Sequence, residues 1–217
     1  MVKFCMVIVL FASVFTLKSH AAELTVRLHS PEGKPIKDAV VELYHQDYVI
    51  SATNKSSSGA VFQVAQKDRQ FTPFVSAVPL GSQVSFPNFD KTRHHVYSFS
   101  PAKVFELKLF SGQTPAPIAF EQPGVVALGC NIHDFMLAYI YIAKSRLTGV
   151  TNAQGIVQFS DLPEDEFSVR LWHPLQEAQQ AAKAVSVSVE PMEVSYTMAV
   201  YLDELATDEA NFNGQPY

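Results

Sequence analysis

The chain has 217 residues, a formal net charge of −5 and a pI near 5.8, which excludes a nucleic-acid surface built on bulk positive charge. Charged residues make up only 17% while phenylalanine occurs 16 times, a balance that suits an all-β protein better than a charged helical bundle. The length admits one large domain or two modest ones, each able to bury a core.

In chain order, Lys3 and the apolar residues 4–17 followed by Ser19-His20-Ala21 form a cleavable export signal over residues 1–21, so the mature chain is expected to begin near Ala22. The apolar run is too short to span a bilayer comfortably, and no stable membrane insertion is expected. Leu24-Thr-Val26-Arg-Leu28 alternates as a strand, Pro31-Glu-Gly33-Lys-Pro35 is a turn, and Ala39-Val-Val-Glu-Leu-Tyr44 is a second strand. Residues 51–59, rich in serine, mark a linker. Phe105-Glu-Leu107-Lys-Leu109 alternates cleanly, which buries one of its faces. Strand-like runs return at 124–130, 136–142, 148–163 and 167–172. Residues 175–184, rich in Gln and Ala, are expected as a short helix on propensity. Strands are expected at 185–189 and 196–202, and the tail 203–217, with four acids and no base, is a solvated end.

Cysteine arithmetic narrows the chemistry. Cys5 leaves with the signal, so Cys130 remains alone in an oxidising compartment. It must be buried and inert, paired with another chain, or bound to a metal. Its surroundings read Leu128-Gly-Cys130-Asn-Ile-His133-Asp-Phe-Met136, between one strand-like run and the next. One thiolate, two imidazoles and a weak thioether suit a copper that cycles between Cu(I) and Cu(II). The spacing Cys-x₂-His-x₂-Met lets three such side chains converge from one tight loop, and the second imidazole must come from another strand. The segment Phe86-Pro-Asn88-Phe-Asp-Lys-Thr-Arg-His94-His95-Val96 offers it. Adjacent strand residues point to opposite faces, so only one of His94 and His95 is expected at the metal.

Asn-x₅-His-x-Val followed by Cys-x₂-His-x₂-Met resembles the cupredoxins, with the loop spacing of amicyanin. The longer text around both motifs resembles periplasmic plastocyanin-like proteins often labelled methylamine utilization proteins. The resemblance covers residues 60–143 and implies an antiparallel β-sandwich with one type-1 copper at the loop between its last two strands. It assigns the metal ligands to His94, Cys130, His133 and Met136. It also implies that Asn88 ties its strand to Asn131, beside the cysteine, from outside the ligand shell. One departure is Asp134, where amicyanin carries Pro. Phe135 keeps the family's aromatic. His29, His45 and His173 lack companions at ligand spacing and are expected as surface imidazoles.

The flanking segments hold a second resemblance. Residues 24–44, together with Thr151-x₃-Gly155-x₃-Phe159-x₂-Leu162-Pro163 and the strand after it, look like the front and back of a transthyretin-like, carboxypeptidase-regulatory-like β-sandwich. The expected fold is therefore all-β: a cupredoxin-type antiparallel β-sandwich at 60–144, with an additional small sandwich built from the flanking segments 22–59 and 145–202. The alternative is one enlarged sandwich with extra strands.

Four protein ligands leave no good open position for a substrate, which points to one-electron transfer rather than an enzyme. The resemblance implies that electrons leave through the edge of His133. The partner implied is a redox protein such as a cytochrome or dehydrogenase, and the location is the periplasm. The alternative reading is a module that delivers or buffers copper with no redox role. A scaffold sandwich that has lost its copper is a third class, and the intact ligand set argues against it.

Overall fold

The computed structural model describes residues 22–50, 61–112 and 114–201. The expected signal, the linker 51–59 and the acidic tail lie outside those residues. Strands make up nearly all the regular structure of the described residues, and the short 3-10 turn Gln46–Tyr48 is the one helical piece among them.

The chain opens with β1 (Ala22–His29) and β2 (Val40–Tyr44), whose inward residues Leu24, Val26, Leu28, Val41 and Leu43 are fully buried. Ten strands follow: β3 (Val61–Gln63), β4 (Ala65–Lys67), β5 (Gln70–Thr72), β6 (Val75–Pro79), β7 (Gln83–Ser85), β8 (His94–Ser100), β9 (Lys103–Phe110), β10 (Ile118–Ala119), β11 (Gly124–Cys130) and β12 (His133–Ala143). The last five are β13 (Thr148–Val150), β14 (Ile156–Leu162), β15 (Glu166–Trp172), β16 (Lys183–Ser186) and β17 (Met192–Thr197).

The first two strands find their partners near the end of the chain. β1 lies between β14 and β17, and β2 between β13 and β15, with β16 outside β15. Their apolar faces enclose one core of Leu24, Val26, Leu28, Leu43, Phe167 and Val169 with their neighbours. Gly155, at φ +71°, closes the turn before β14, where a Cβ would collide with the Leu28 carbonyl.

The middle strands form a five-stranded sheet, ordered β6-β12-β11-β8-β9, and a three-stranded sheet, β10-β7-β3. A second core of Val84, Phe86, Val96, Phe120, Leu128 and Ile140 belongs to this stretch. β4 and β5 form a separate hairpin. β11 and β12 run antiparallel from Gly124↔Ile142 to Cys130↔His133, with a register shift at Gly129/Cys130. Only Asn131 and Ile132 separate the two strands, so the expected loop is shorter than the motif suggested and Met136 stands within β12.

The two cores meet at Glu42, a carboxylate on β2 that is only 1% exposed. Its Oε1 accepts the Lys144 and Ser145 N–H groups at 2.7 and 2.8 Å, and its Oε2 accepts the Tyr141 hydroxyl at 2.9 Å. Burial first, then the charge and hydrogen bond of Glu42, push the Tyr141 phenol well above its ordinary value. Trp172 packs against Tyr139 and Tyr141 from β15.

Three expectations need correction. Residues 175–184 form no helix: Gln176 bridges Val200, Gln180 Nε2 donates to the Thr197 carbonyl, and β16 begins at Lys183. Pairing along a sheet edge outweighs a weak intrinsic preference there. The last strand lies at Met192–Thr197 rather than 196–202, because a parallel register from Leu24↔Met192 to His29↔Thr197 selects it. His173 is buried at 1% exposure, its Nδ1 accepting the Leu175 N–H, and His45 packs against Tyr48 and Phe167.

Candidate metal centre

Three strands converge at one end of the five-stranded sheet. His94 opens β8 and is fully buried, Cys130 closes β11 at 3% exposure, and His133 opens β12 half-buried. β8 and β11 pair through Cys130↔Val96 and Gly129↔Tyr97, which brings the start of one strand to the end of the other. A Cβ at Gly129 would stand 2.8 Å from the tip of the Tyr97 ring, so any larger residue at that crossing would have to displace it.

The donors face one another. Cys130 Sγ lies 3.8 Å from His94 Nδ1 and 3.7 Å from His133 Nδ1. All three ligand atoms fall within 4.8 Å of one another, and the two imidazole centroids are 5.0 Å apart. Two donors each about 2.0–2.3 Å from a common metal stand about 3.5–4 Å apart when the angle between them is near 120°. The residues present therefore fit a metal ion, and a thiolate with two imidazoles fits copper by chemistry. Met136 is buried at 1% in the same core cluster as Cys130.

The imidazoles are set in opposite surroundings. Burial first, then the neighbouring His94 and the Arg69 cation, lower the proton affinity of His133, with Asp90 opposing. That favours the neutral ring, the form that can ligate. His133 also touches Phe135, with centroids 5.6 Å apart, and the preceding residue Ile132 is exposed. Asp134 is exposed as well. His94 instead faces inward and presents Nε2 to Asp90 Oδ2 at 2.8 Å.

Asp90 is the residue that sequence reasoning missed. Burial works to raise its carboxyl, but the Arg69 N–H, the hydrogen bond with His94 and the Asp68 N–H outweigh it and hold the group below the usual carboxylate range. Its signal was present: an acid four positions before the buried histidine, inside the quoted motif.

Of the adjacent histidines, His94 faces Cys130, whereas His95 points to the other face, where Nε2 lies 2.9 Å from Glu106 Oε1 outside hydrogen-bond alignment. Asn88 braces the site through different partners from those expected. Its Nδ2 donates to the carbonyls of Thr92 and Phe110 and its Oδ1 accepts the Asp90 N–H, while Asn131 N–H donates to the His95 carbonyl. The β8–β9 pairing places Phe110 opposite His94, within reach of Asn88, and Asn131 is already satisfied by its neighbouring strand.

No family model and no curated protein matches the chain. Solved structures do. A Cu-containing nitrite reductase from Thermus scotoductus SA-01 is 23% identical over 42% of this chain and 25% of its own, with a TM-score of 0.36. A reduced Cu(I) form of an amicyanin mutant is 13% identical over 48% of this chain and 98% of its own, with a TM-score of 0.36. A purple cupredoxin from Nitrosopumilus maritimus is 20% identical over 38% of this chain and 99% of its own, with a TM-score of 0.32. These structural neighbours are cupredoxins. The chain spans a quarter of the length of the nitrite reductase.

Proposed function

We propose that the chain is an exported copper protein that transfers single electrons, holding one type-1 copper through His94, Cys130, His133 and Met136. The observation that carries this reading is the convergence of the Cys130 thiol and two imidazole Nδ1 atoms at 3.7–3.8 Å, mostly shielded from water. Copper bound there would supply a one-electron couple, with the soft thiolate and thioether suiting Cu(I) and the imidazoles suiting both states. Cys130 and His94 are held by paired strands, so the donor set keeps its shape while the charge changes. Burial of Cys130, His94 and Met136 favours retaining a metal over handing it on, which places electron transfer ahead of copper delivery.

The half-buried edge of His133, beside the exposed Ile132 and Phe135, is the route to a redox protein partner such as a cytochrome or dehydrogenase. The periplasm is the proposed location, through removal of residues 1–21. Among the described residues, no helix is long and apolar enough to cross a membrane. Residues 60–144 are taken as a copper domain set within the small sandwich, a reading supported by the two separate cores.

The deciding experiment is loading of the mature protein with Cu(II). One copper per chain, an intense visible thiolate-to-copper band and a reversible one-electron wave are expected, and Cys130→Ser removes the colour. Copper binding with weak visible absorption would sink the type-1 assignment. Rapid surrender of Cu(I) to a chelator without reversible electrochemistry would favour delivery.

A further inference from the structure

We propose that Asp90, clamped by the tip of the β4–β5 hairpin, is a positioning residue that fixes the tautomer of His94 and presents its Nδ1 lone pair to the metal. The inference rests on the copper reading for its electrochemical arm and on the protein alone for the rest.

The two-residue tip joins the pair Lys67↔Gln70. Both tip residues, Asp68 at φ 54° and Arg69 at φ 58°, are left-handed although neither is glycine. Such residues are disfavoured in that region and persist where the surroundings compensate. Here the compensation is visible. The turn aims two successive N–H groups at one carboxylate: Asp68 N–H donates to Asp90 Oδ1 at 2.7 Å and Arg69 N–H to Oδ2 at 2.9 Å. Consecutive backbone N–H groups of this kind make a concavity that suits an anion. Asn88 fixes the other side by accepting the Asp90 N–H at 2.8 Å. The carboxylate is thus held from two segments before it meets the imidazole.

Its direction follows from donor and acceptor chemistry. An ionised Asp90, with a backbone N–H on each oxygen and no proton of its own to give, accepts from His94 Nε2, 2.8 Å away. The single N–H of a neutral imidazole must therefore sit on Nε2, leaving the Nδ1 lone pair toward Cys130 Sγ. An anion hydrogen-bonded to the far nitrogen also makes the ring a stronger electron donor, which favours the higher oxidation state of a ligated metal. In Asp90→Asn the charge is lost and an amide N–H₂ can turn toward Nε2. His94 then places its proton on Nδ1, the nitrogen needed for ligation.

The test begins with the full mature chain, free of metal and labelled with ¹⁵N. The ring nitrogen shifts of His94 are expected to show a protonated Nε2 whose proton exchanges slowly. A wild-type ring protonated on Nδ1 overturns the proposal, whether or not any variant folds. Asp90→Asn is expected to shift the tautomer toward Nδ1–H, weaken Cu(II) binding about 10–100-fold and raise the reduction potential, with partial recovery in Asp90→Glu. An Asp90→Asn protein that binds copper with unchanged tautomer and potential also overturns it, while leaving the copper reading intact. Wild-type protein that shows protonated Nε2 but takes up no copper would instead remove the copper reading and keep the tautomer assignment.

Discussion

Glu42 and Asp90 are two interior carboxylates that each gather a pair of backbone N–H groups, and the molecule uses them for different ends. Glu42 takes the N–H groups of Lys144 and Ser145 where the chain leaves β12, and completes itself with the Tyr141 hydroxyl. Every partner there is satisfied inside the protein, so the group joins two cores and offers nothing outward. Asp90 takes the N–H groups of Asp68 and Arg69 and completes itself with an imidazole instead. An imidazole has a second nitrogen, and that nitrogen faces a thiol and another histidine. The same electrostatic device thus closes a joint at one end and prepares a site at the other. The difference lies in whether its third partner has a free valence.

The comparison breaks most visibly at the imidazoles. His94→Ala removes the nitrogen on which the site end depends and is expected to abolish or severely alter the spectrum of the copper-loaded protein. His95→Ala, on the opposite face, leaves that spectrum nearly intact. A reversed result in visible absorption would mean that the wrong histidine has been placed at the metal.

At the joint, the expected effect is on stability rather than on the site. Glu42→Leu leaves two N–H groups and a phenol without their acceptor, at a cost of about 4 kcal/mol, and Glu42→Gln costs about half as much. Denaturant midpoints report both. Tyr141 stands eight residues along β12 from His133, about 26 Å at strand rise, so the folded fraction keeps its copper spectrum. A spectrum that changes with Glu42 would show the two ends to be coupled.

The smallest effect sharpens the comparison with a buried imidazole whose hydrogen bond goes to the backbone rather than to a carboxylate. Burial lowers the proton affinity of His173, against a backbone contact with Lys37 and the charge of Asp38. The unfolded chain then binds a proton that the folded one resists as pH falls below about 6.5. Wild-type stability should drop across that range, and His173→Gln should flatten this part of the profile in pH-dependent unfolding. Equal slopes in the two proteins would show that His173 titrates alike folded and unfolded.

Sequence alone determined the all-β class and the opposite facing of His94 and His95, since strand alternation is a local property of the chain, while the resemblance supplied the grouping of His94 with Cys130 and His133. It also marked Asn88 as a brace, though for another partner. Tertiary structure decided what depends on partners far along the chain. The Asp68–Arg69 tip that turns Asp90 into a clamp lies 21–22 residues from it, and the N–H groups that hold Glu42 lie 102–103 residues away. The same holds for residues 175–184 and for the placement of β17 beside β1, where pairing with distant strands outweighed local propensity. His173 was misjudged for a related reason: one imidazole reads alike at the surface and in a core, and only its packed neighbours exclude water from it.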